Sequence, residues 1–241
     1  MIWVYIALFV VPLFLTYSIF STIYIRRRNL CISRRVNSRN AIALTFDDGP
    51  DPIYTSHLLD ILAKYGVKAT FFVVGSKVEK YPELVKRMKL EGHSIGIHHY
   101  SHVSSWFLSP LQLKKQLNQC RLIIEKYTQE KPVYYRPPWG HFNLFALLIA
   151  KEYEVVLWSH IFQDWKVKKS GDLIRRMKTV DRDGSIFVLH DSGTTFGADE
   201  RAPYYMIESL DEFLAYALGK QIRFTLLEGN LTSKEQTGSG Q

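Results

Sequence analysis

After residue 40 the chain alternates between two periodicities, and this limits the fold more than any other feature. Apolar, β-branched or aromatic runs fall at 41–46, 68–74, 93–97, 133–135, 154–159, 185–189 and 222–227. Between them, at 54–65, 77–90, 109–127, 142–151, 171–180 and 203–218, apolar residues recur every three or four positions, as on one face of a helix. Seven strands separated by helices imply parallel pairing through right-handed crossovers. An open doubly wound sheet and a closed barrel both satisfy this, and either fold gathers its chemistry at the C-terminal strand ends. Ser109-Pro110 reads as a helix N-cap followed by proline at the first helical position. Gly66 and Gly92 sit just past helix ends. Residues 229–241 are polar and rich in Gly and Ser, and read as a disordered tail.

Residues 1–25 carry no charge. Roughly 20 apolar residues span a bilayer as a helix. Trp3, Tyr5, Tyr17 and Tyr24 lie toward the ends, where aromatic rings prefer the interface, and Pro12 is tolerated in such a helix. The expectation is a single-pass membrane anchor over 1–25. A cleaved signal peptide is the rival, but the segment lacks a basic start and a good cleavage site. A buried core helix is the third reading. Of the formal net charge of +8, six come from Arg26, Arg27, Arg28, Arg34, Arg35 and Arg39, and residues 1–40 hold no acid. Residues 26–39 therefore read as a basic juxtamembrane linker suited to anionic lipid heads, with no motif for nucleic acid. Arginines at 26–28 favour keeping the C-terminal side of the helix in the cytoplasm, although large domains can translocate past such charge. Cys31 and Cys120 form no disulfide framework.

The polar motifs come just after the expected strands. They are Asp47-Asp48-Gly49-Pro50, His98-His99-Tyr100-Ser101-His102, Arg136-Pro137-Pro138-Trp139-Gly140, Asp164-Trp165 and His190-Asp191. His98 and His102 have the i, i+4 spacing that lets two rings share a metal, and the carboxylates after the first strand can supply a third ligand. Two histidines and a carboxylate with open positions suit Zn²⁺ or a similar catalytic ion, which activates water and polarises a carbonyl. His190 is a candidate general acid. Trp139 reads equally as a substrate contact or as core.

TFDDGP, HHYSH, RPPWG, QDW and VLHD, in this order, resemble the polysaccharide deacetylases of carbohydrate esterase family four, the NodB-homology domain, over residues 40–228. The resemblance implies a distorted (β/α) barrel and metal-dependent hydrolysis of acetyl groups on a sugar polymer. N-acetylglucosamine of peptidoglycan is the first expectation, with chitin-like, O-acetylated or lipid- or nucleotide-linked sugars as alternatives. It implies Asp47 as catalytic base, Asp48, His98 and His102 as metal ligands, and Arg136 as the partner orienting the base. It further implies that Asp164 primes His190, that His190 is the general acid, and that the Tyr100 N–H helps hold the oxyanion. Trp165 would wall the substrate groove, and Val188 would line the acetyl-methyl pocket where the family usually has Leu. Zn²⁺ is the expected ion, with Co²⁺, Mn²⁺ and Ni²⁺ as alternatives. His99 stands where the family usually has Ser or Thr, and reads as an unused neighbour able to swap roles with His98. A membrane-bound enzyme of the cell-wall side is the leading reading. A cytoplasmic-face enzyme and a catalytically dead carbohydrate-binding relative are the rivals.

Overall fold

The parallel sheet expected after residue 40 is present in the computed structural model, which describes residues 2–167, 170–227 and 231. The tail lies outside these residues, Leu231 apart, as do the side chains of Trp3 and Tyr5. The strands are β1 (Ile32–Ser33), β2 (Ala41–Asp47), β3 (Thr70–Val73), β4 (Ser94–Ile97), β5 (Tyr134–Tyr135), β6 (Glu154–Val156), β7 (His160–Ile161), β8 (Asp183–His190) and β9 (Arg223–Phe224). All seven expected strands occur, and β1 and β7 are short additions. Every strand pairing is parallel, and the order across the sheet is β1-β6-β5-β4-β3-β2-β8-β7, with β9 on the start of β2.

This order decides between the two topologies. From β2 to β6 each new strand adds on the same side, as in a barrel, whereas a doubly wound sheet reverses direction midway. The result is a distorted (β/α) barrel, open between β1 and β7. Residues 157–159 carry the chain across that opening from β6 to β7. Central strand β2 is buried at every position because the sheet is covered on both faces.

The helices are α1 (Ile2–Leu15), α2 (Ser21–Arg28), α3 (Tyr54–Lys64), α4 (Gly75–Lys80), α5 (Pro82–Leu90), α6 (Pro110–Thr128), α7 (Ala146–Ile149), α8 (Ser170–Lys178) and α9 (Ala202–Gly219). The pattern over 77–90 is split between α4 and α5. Pro82 has no N–H to continue a helix, and Tyr81 before it is driven to φ −130°. Ser109 caps α6 as expected, with Gln112 completing a reciprocal capping box. Gly66 and Gly92 adopt left-handed φ of 64° and 80°.

Helices α1 and α2 run on through one π-helical stretch, Thr16–Phe20. Leu8–Arg28 is long and apolar enough to cross a membrane. Leu8, Phe9, Val10, Val11 and Leu13 are exposed. The C-terminal part instead docks on the domain. Tyr17 Oη donates to the Leu108 carbonyl at 2.6 Å. Thr22 Oγ1 donates to Phe142 O at 2.8 Å and accepts from Phe142 N at 2.9 Å and Trp106 Nε1 at 2.8 Å. The basic segment after α2 also differs from a free linker, because Ile32 and Ser33 pair with Val155 and Val156 and Val36 is buried. An edge of β6 left unpaired at the barrel opening is the physical reason.

Thr22→Val removes the hydroxyl at nearly constant volume and orphans the buried Phe142 N–H and C=O and the half-buried Trp106 indole N–H. Each costs roughly 1–3 kcal/mol. The expected outcome is faster amide hydrogen exchange at Phe142 and through α2, and unchanged exchange would show that this docking is not holding the helix.

Candidate active site

Strand β2 ends in Asp47, and register places it opposite His190 of β8 and Phe72 of β3. Asp47 Oδ1 accepts from Arg136 NH1 at 2.6 Å. Both side chains are buried. Arg136 also donates from NH1 to Thr45 Oγ1 at 2.8 Å, from Nε to Val156 O at 3.0 Å and from NH2 to Leu157 O at 3.1 Å. Its guanidinium lies 4.1 Å from the Phe72 ring centroid. The last two carbonyls belong to the strand end beside the barrel opening. A buried charge is tolerable only when paired and hydrogen-bonded, and here the guanidinium is almost fully satisfied.

Asp48 comes next with a left-handed φ of 79°, which turns its side chain away from that of Asp47. Asp48 Oδ1 lies 3.3 Å from His98 Nε2 and 2.9 Å from His102 Nε2. One ligand atom from each of the three residues falls within 4.8 Å of the others. His98 Nδ1 lies 2.7 Å from the Arg136 carbonyl, so it carries the proton and donates there, leaving Nε2 as the electron pair facing Asp48. The other Asp48 oxygen, Oδ2, accepts from Thr195 Oγ1 at 2.5 Å. This donor set and its fixed tautomer fit a divalent cation. Burial alone would raise the Asp48 carboxyl, but His102 and His98 outweigh it and hold it well below the usual range. Burial holds the His102 ring below its ordinary value, toward the neutral form a ligand needs.

Opposite lies a second acid–base pair. His190 Nδ1 is 3.1 Å from Asp164 Oδ1, and the His190 backbone N–H donates to Asp164 Oδ2 at 2.7 Å. Burial pulls the imidazole down, but Asp164, with Asp48 and Asp47 behind it, pushes it up to about 10. Beneath Asp48, Lys77 Nζ donates to Asp48 O, Ser192 Oγ and Thr194 Oγ1 at 2.7, 2.8 and 2.9 Å. Gly49 has no room for a side chain there, since a Cβ would come within 2.2 Å of the Asp191 carboxylate.

Asp47, Asp48, His98, His102, Trp139, Trp165, Val188 and His190 line one cleft of about 370 Å³. Trp139 is 39 % exposed and sets its ring 4.4 Å from that of His102, so it belongs to the cleft wall and not to the core. Trp165 meets His190 edge to face at 5.2 Å. Arg136 and Asp164 stand behind the wall, holding Asp47 and His190. Two expectations fail. The Tyr100 N–H donates to Gln116 Oε1 at 2.9 Å, so it is already committed, and Tyr100 does not line the cleft. His99 cannot exchange with His98. Its left-handed backbone, φ 62°, turns the ring into the core, where Nδ1 meets Val103 O at 2.8 Å and Nε2 meets Tyr135 Oη at 2.7 Å.

Other cleft residues were not anticipated. Trp158 lies just past the end of β6, so the strand-end rule could have found it. Thr195 lies in the loop after β8, with no signal beyond its hydroxyl. Arg26 comes from the end of the apolar helix, where a run of three arginines reads as a membrane flank.

Residues 34–158 match the family model for polysaccharide deacetylases. The chain is 40% identical over 154 residues to the peptidoglycan-N-acetylmuramic acid deacetylase PdaC of Bacillus subtilis, a match covering 64% of this chain and 33% of that protein. It is 38% identical over 161 residues to a peptidoglycan-N-acetylglucosamine deacetylase of Bacillus cereus, covering 65% of this chain and 75% of the relative. Among solved structures, a peptidoglycan N-acetylglucosamine deacetylase in complex with a hydroxamate-type benzamide superimposes with a TM-score of 0.77 at 29% identity, over 85% of this chain and 94% of that one.

Asp164→Asn should lower the His190 pKa from about 10 toward its ordinary 6.5, read by NMR titration of the imidazole in metal-free protein. The folded value is raised, so the pair's contribution to stability is complete below about pH 6.5 and is lost as pH rises through about 10. Titration still near 10 in the variant would show that Asp164 is not the source.

Proposed function

This chain belongs to the polysaccharide deacetylase family, and on that premise we propose that it hydrolyses the N-acetyl group of an amino sugar in peptidoglycan, N-acetylglucosamine first. It is a hydrolase of that family. One observation carries the reading. The Asp48–His98–His102 cluster shares a single cleft with both Asp47, held by Arg136, and His190, held by Asp164.

A divalent cation held by Asp48, His98 and His102, Zn²⁺ being the first expectation, would polarise the acetyl carbonyl and acidify an attacking water. Asp47 is the proposed general base. Arg136 occupies its Oδ1, which leaves Oδ2 to take a proton from that water and fixes the carboxylate against rotation. His190 is the proposed general acid. Nδ1 faces Asp164, so Nε2 holds the proton that passes to the sugar nitrogen as the C–N bond breaks, giving acetate and a free amine. A raised pKa keeps that ring protonated through neutral pH. Trp139 and Trp165 offer aromatic faces to the sugar, and Val188 closes the floor where a methyl would sit.

The helix over Leu8–Arg28 supports the proposed membrane anchor, and relatives named for peptidoglycan support a domain outside the cytoplasm. Residues 40–228 carry the proposed deacetylase domain. Within the proposed 1–25 anchor, the exposed stretch that includes Leu8, Phe9, Val10, Val11 and Leu13 is the part left to enter a membrane, since Tyr17 and Thr22 dock on the domain.

Acetate release from N-acetylglucosamine oligomers and peptidoglycan should vanish on chelation and return with added divalent ion. Asp47→Asn should lower kcat by roughly 10²–10⁴-fold while retaining one bound metal per chain, and Asp48→Ala should lose the metal. Acetate release at the wild-type rate from Asp47→Asn would refute the base assignment.

A further inference from the structure

Three arginines end α2, and they do not share one environment. Arg27 and Arg28 are exposed, as flanks of an apolar helix would be. Arg26 is partly buried and lines the cleft that holds Asp47, Asp48 and the histidines. Its guanidinium lies 5.5 Å from the centroid of Trp158, and the Arg136 guanidinium lies 5.7 Å from that same ring. Arg26 is therefore one aromatic ring removed from the pair that orients Asp47. Among the described residues no side chain neutralises it. Among the described residues no ion pair or hydrogen bond reaches its guanidinium, whereas Asp47 has Arg136 and Asp164 has His190.

A second cation stands behind it. Arg34 donates to the Trp158 carbonyl at 3.5 Å and to the Arg26 carbonyl at 3.3 Å, and its Nε is buried without a partner. Two guanidinium groups drawn together beside an aromatic wall repel one another, and the cleft carboxylates Asp47 and Asp48 are paired elsewhere, with Arg136 and with His98 and His102. Such an arrangement suits an anion delivered by the ligand, since a guanidinium binds a carboxylate through a planar, charge-assisted fork.

We propose that Arg26, backed by Arg34 and set against Trp158, is an anion subsite of the cleft that takes a free carboxylate on the glycan. The proposal rests on the deacetylase reading above and adds a substrate preference to it. The two amino sugars named for the relatives differ in this respect. N-acetylmuramic acid bears a lactyl ether ending in a carboxyl, and N-acetylglucosamine bears none. That carboxyl is ionised only where no peptide is attached. The preferred strand is therefore peptide-free, with the carboxylate on the acetylated sugar or on its neighbour. The helix that ends in Arg26 thus completes the substrate site as well as tethering the domain.

The test uses the full chain, metal-loaded, in detergent micelles. Its probes are a peptide-free tetrasaccharide of alternating N-acetylglucosamine and N-acetylmuramic acid, and the same oligomer with each lactyl carboxyl converted to a methylamide. Wild-type kcat/KM should favour the acid on the order of tenfold, mainly through KM, as expected for losing a charged hydrogen bond. Arg26→Gln should erase that ratio and Arg26→Lys should restore part of it. An equal ratio in wild type, or a preference that survives Arg26→Gln, overturns the proposal. So does a variant whose only defect is weaker binding to anionic vesicles, which would place Arg26 on lipid phosphate. Binding to the Asp47→Asn chain, measured by calorimetry, keeps the two readings apart. The acid should bind about tenfold tighter than the amide, and adding Arg26→Gln should abolish the difference. Equal binding refutes the anion subsite even if no acetate is released, whereas absent acetate release with intact discrimination refutes the deacetylase reading alone.

Discussion

The buried pair between Arg136 and Asp47 is the interaction on which the remaining geometry depends. Strand β6 is paired with β5 on one side and β1 on the other, but both ladders are short and end by Val156, where backbone carbonyls still need partners. Arg136 donates to the Val156 and Leu157 carbonyls at that strand end, so a side chain takes over where the ladder stops. The same guanidinium holds Asp47, and the Arg136 carbonyl holds the His98 ring. One residue therefore links the end of β6, the proposed base and a proposed metal ligand. Removing one member of a buried pair typically costs about 3–5 kcal/mol, because the survivor is left charged and dry. The chain keeps this costly arrangement at the point where its chemistry gathers.

Adjacent carboxylates at a strand end would repel one another if they shared an environment. They do not. Asp47 completes the β2 ladder and turns to Arg136, and Asp48 leaves the ladder in a left-handed conformation and turns to two imidazoles. Asp47 is balanced by the Arg136 cation, Asp48 faces the two imidazoles that could share a divalent ion with it, and the strain in the Asp48 backbone is held by Lys77 and Thr195. Division of labour between neighbours thus arises from a single backbone dihedral.

Much of this was legible in the chain. Alternating periodicities identify all seven main strands, and polar residues placed just after them identify Asp47, Asp48, His98, His102, Arg136, Asp164 and His190 as one constellation. What was not legible depends on distance in sequence or on backbone sign. Positive φ at His99 sends that ring into the core, and nothing in HHYSH distinguishes it from His98. The Gln116 side chain that occupies the Tyr100 N–H lies on a helix sixteen residues away. Short strands β1 and β7 exist only because the barrel leaves edges for them, and Arg26 enters the cleft only because α2 docks on the domain. A motif lists its members but not the outside groups that claim their hydrogen bonds.

A divalent cation should sit among Asp48, His98 and His102 and leave Asp47 and His99 free of it. Crystals of the metal-loaded chain, with anomalous data collected at the edge of the added ion, test that most directly. One peak bound by Asp48, His98 and His102, with Asp47 still paired to Arg136 and outside bonding distance of the ion, is the expected result. A peak bound by Asp47 or His99, or no peak at this cluster, would contradict it.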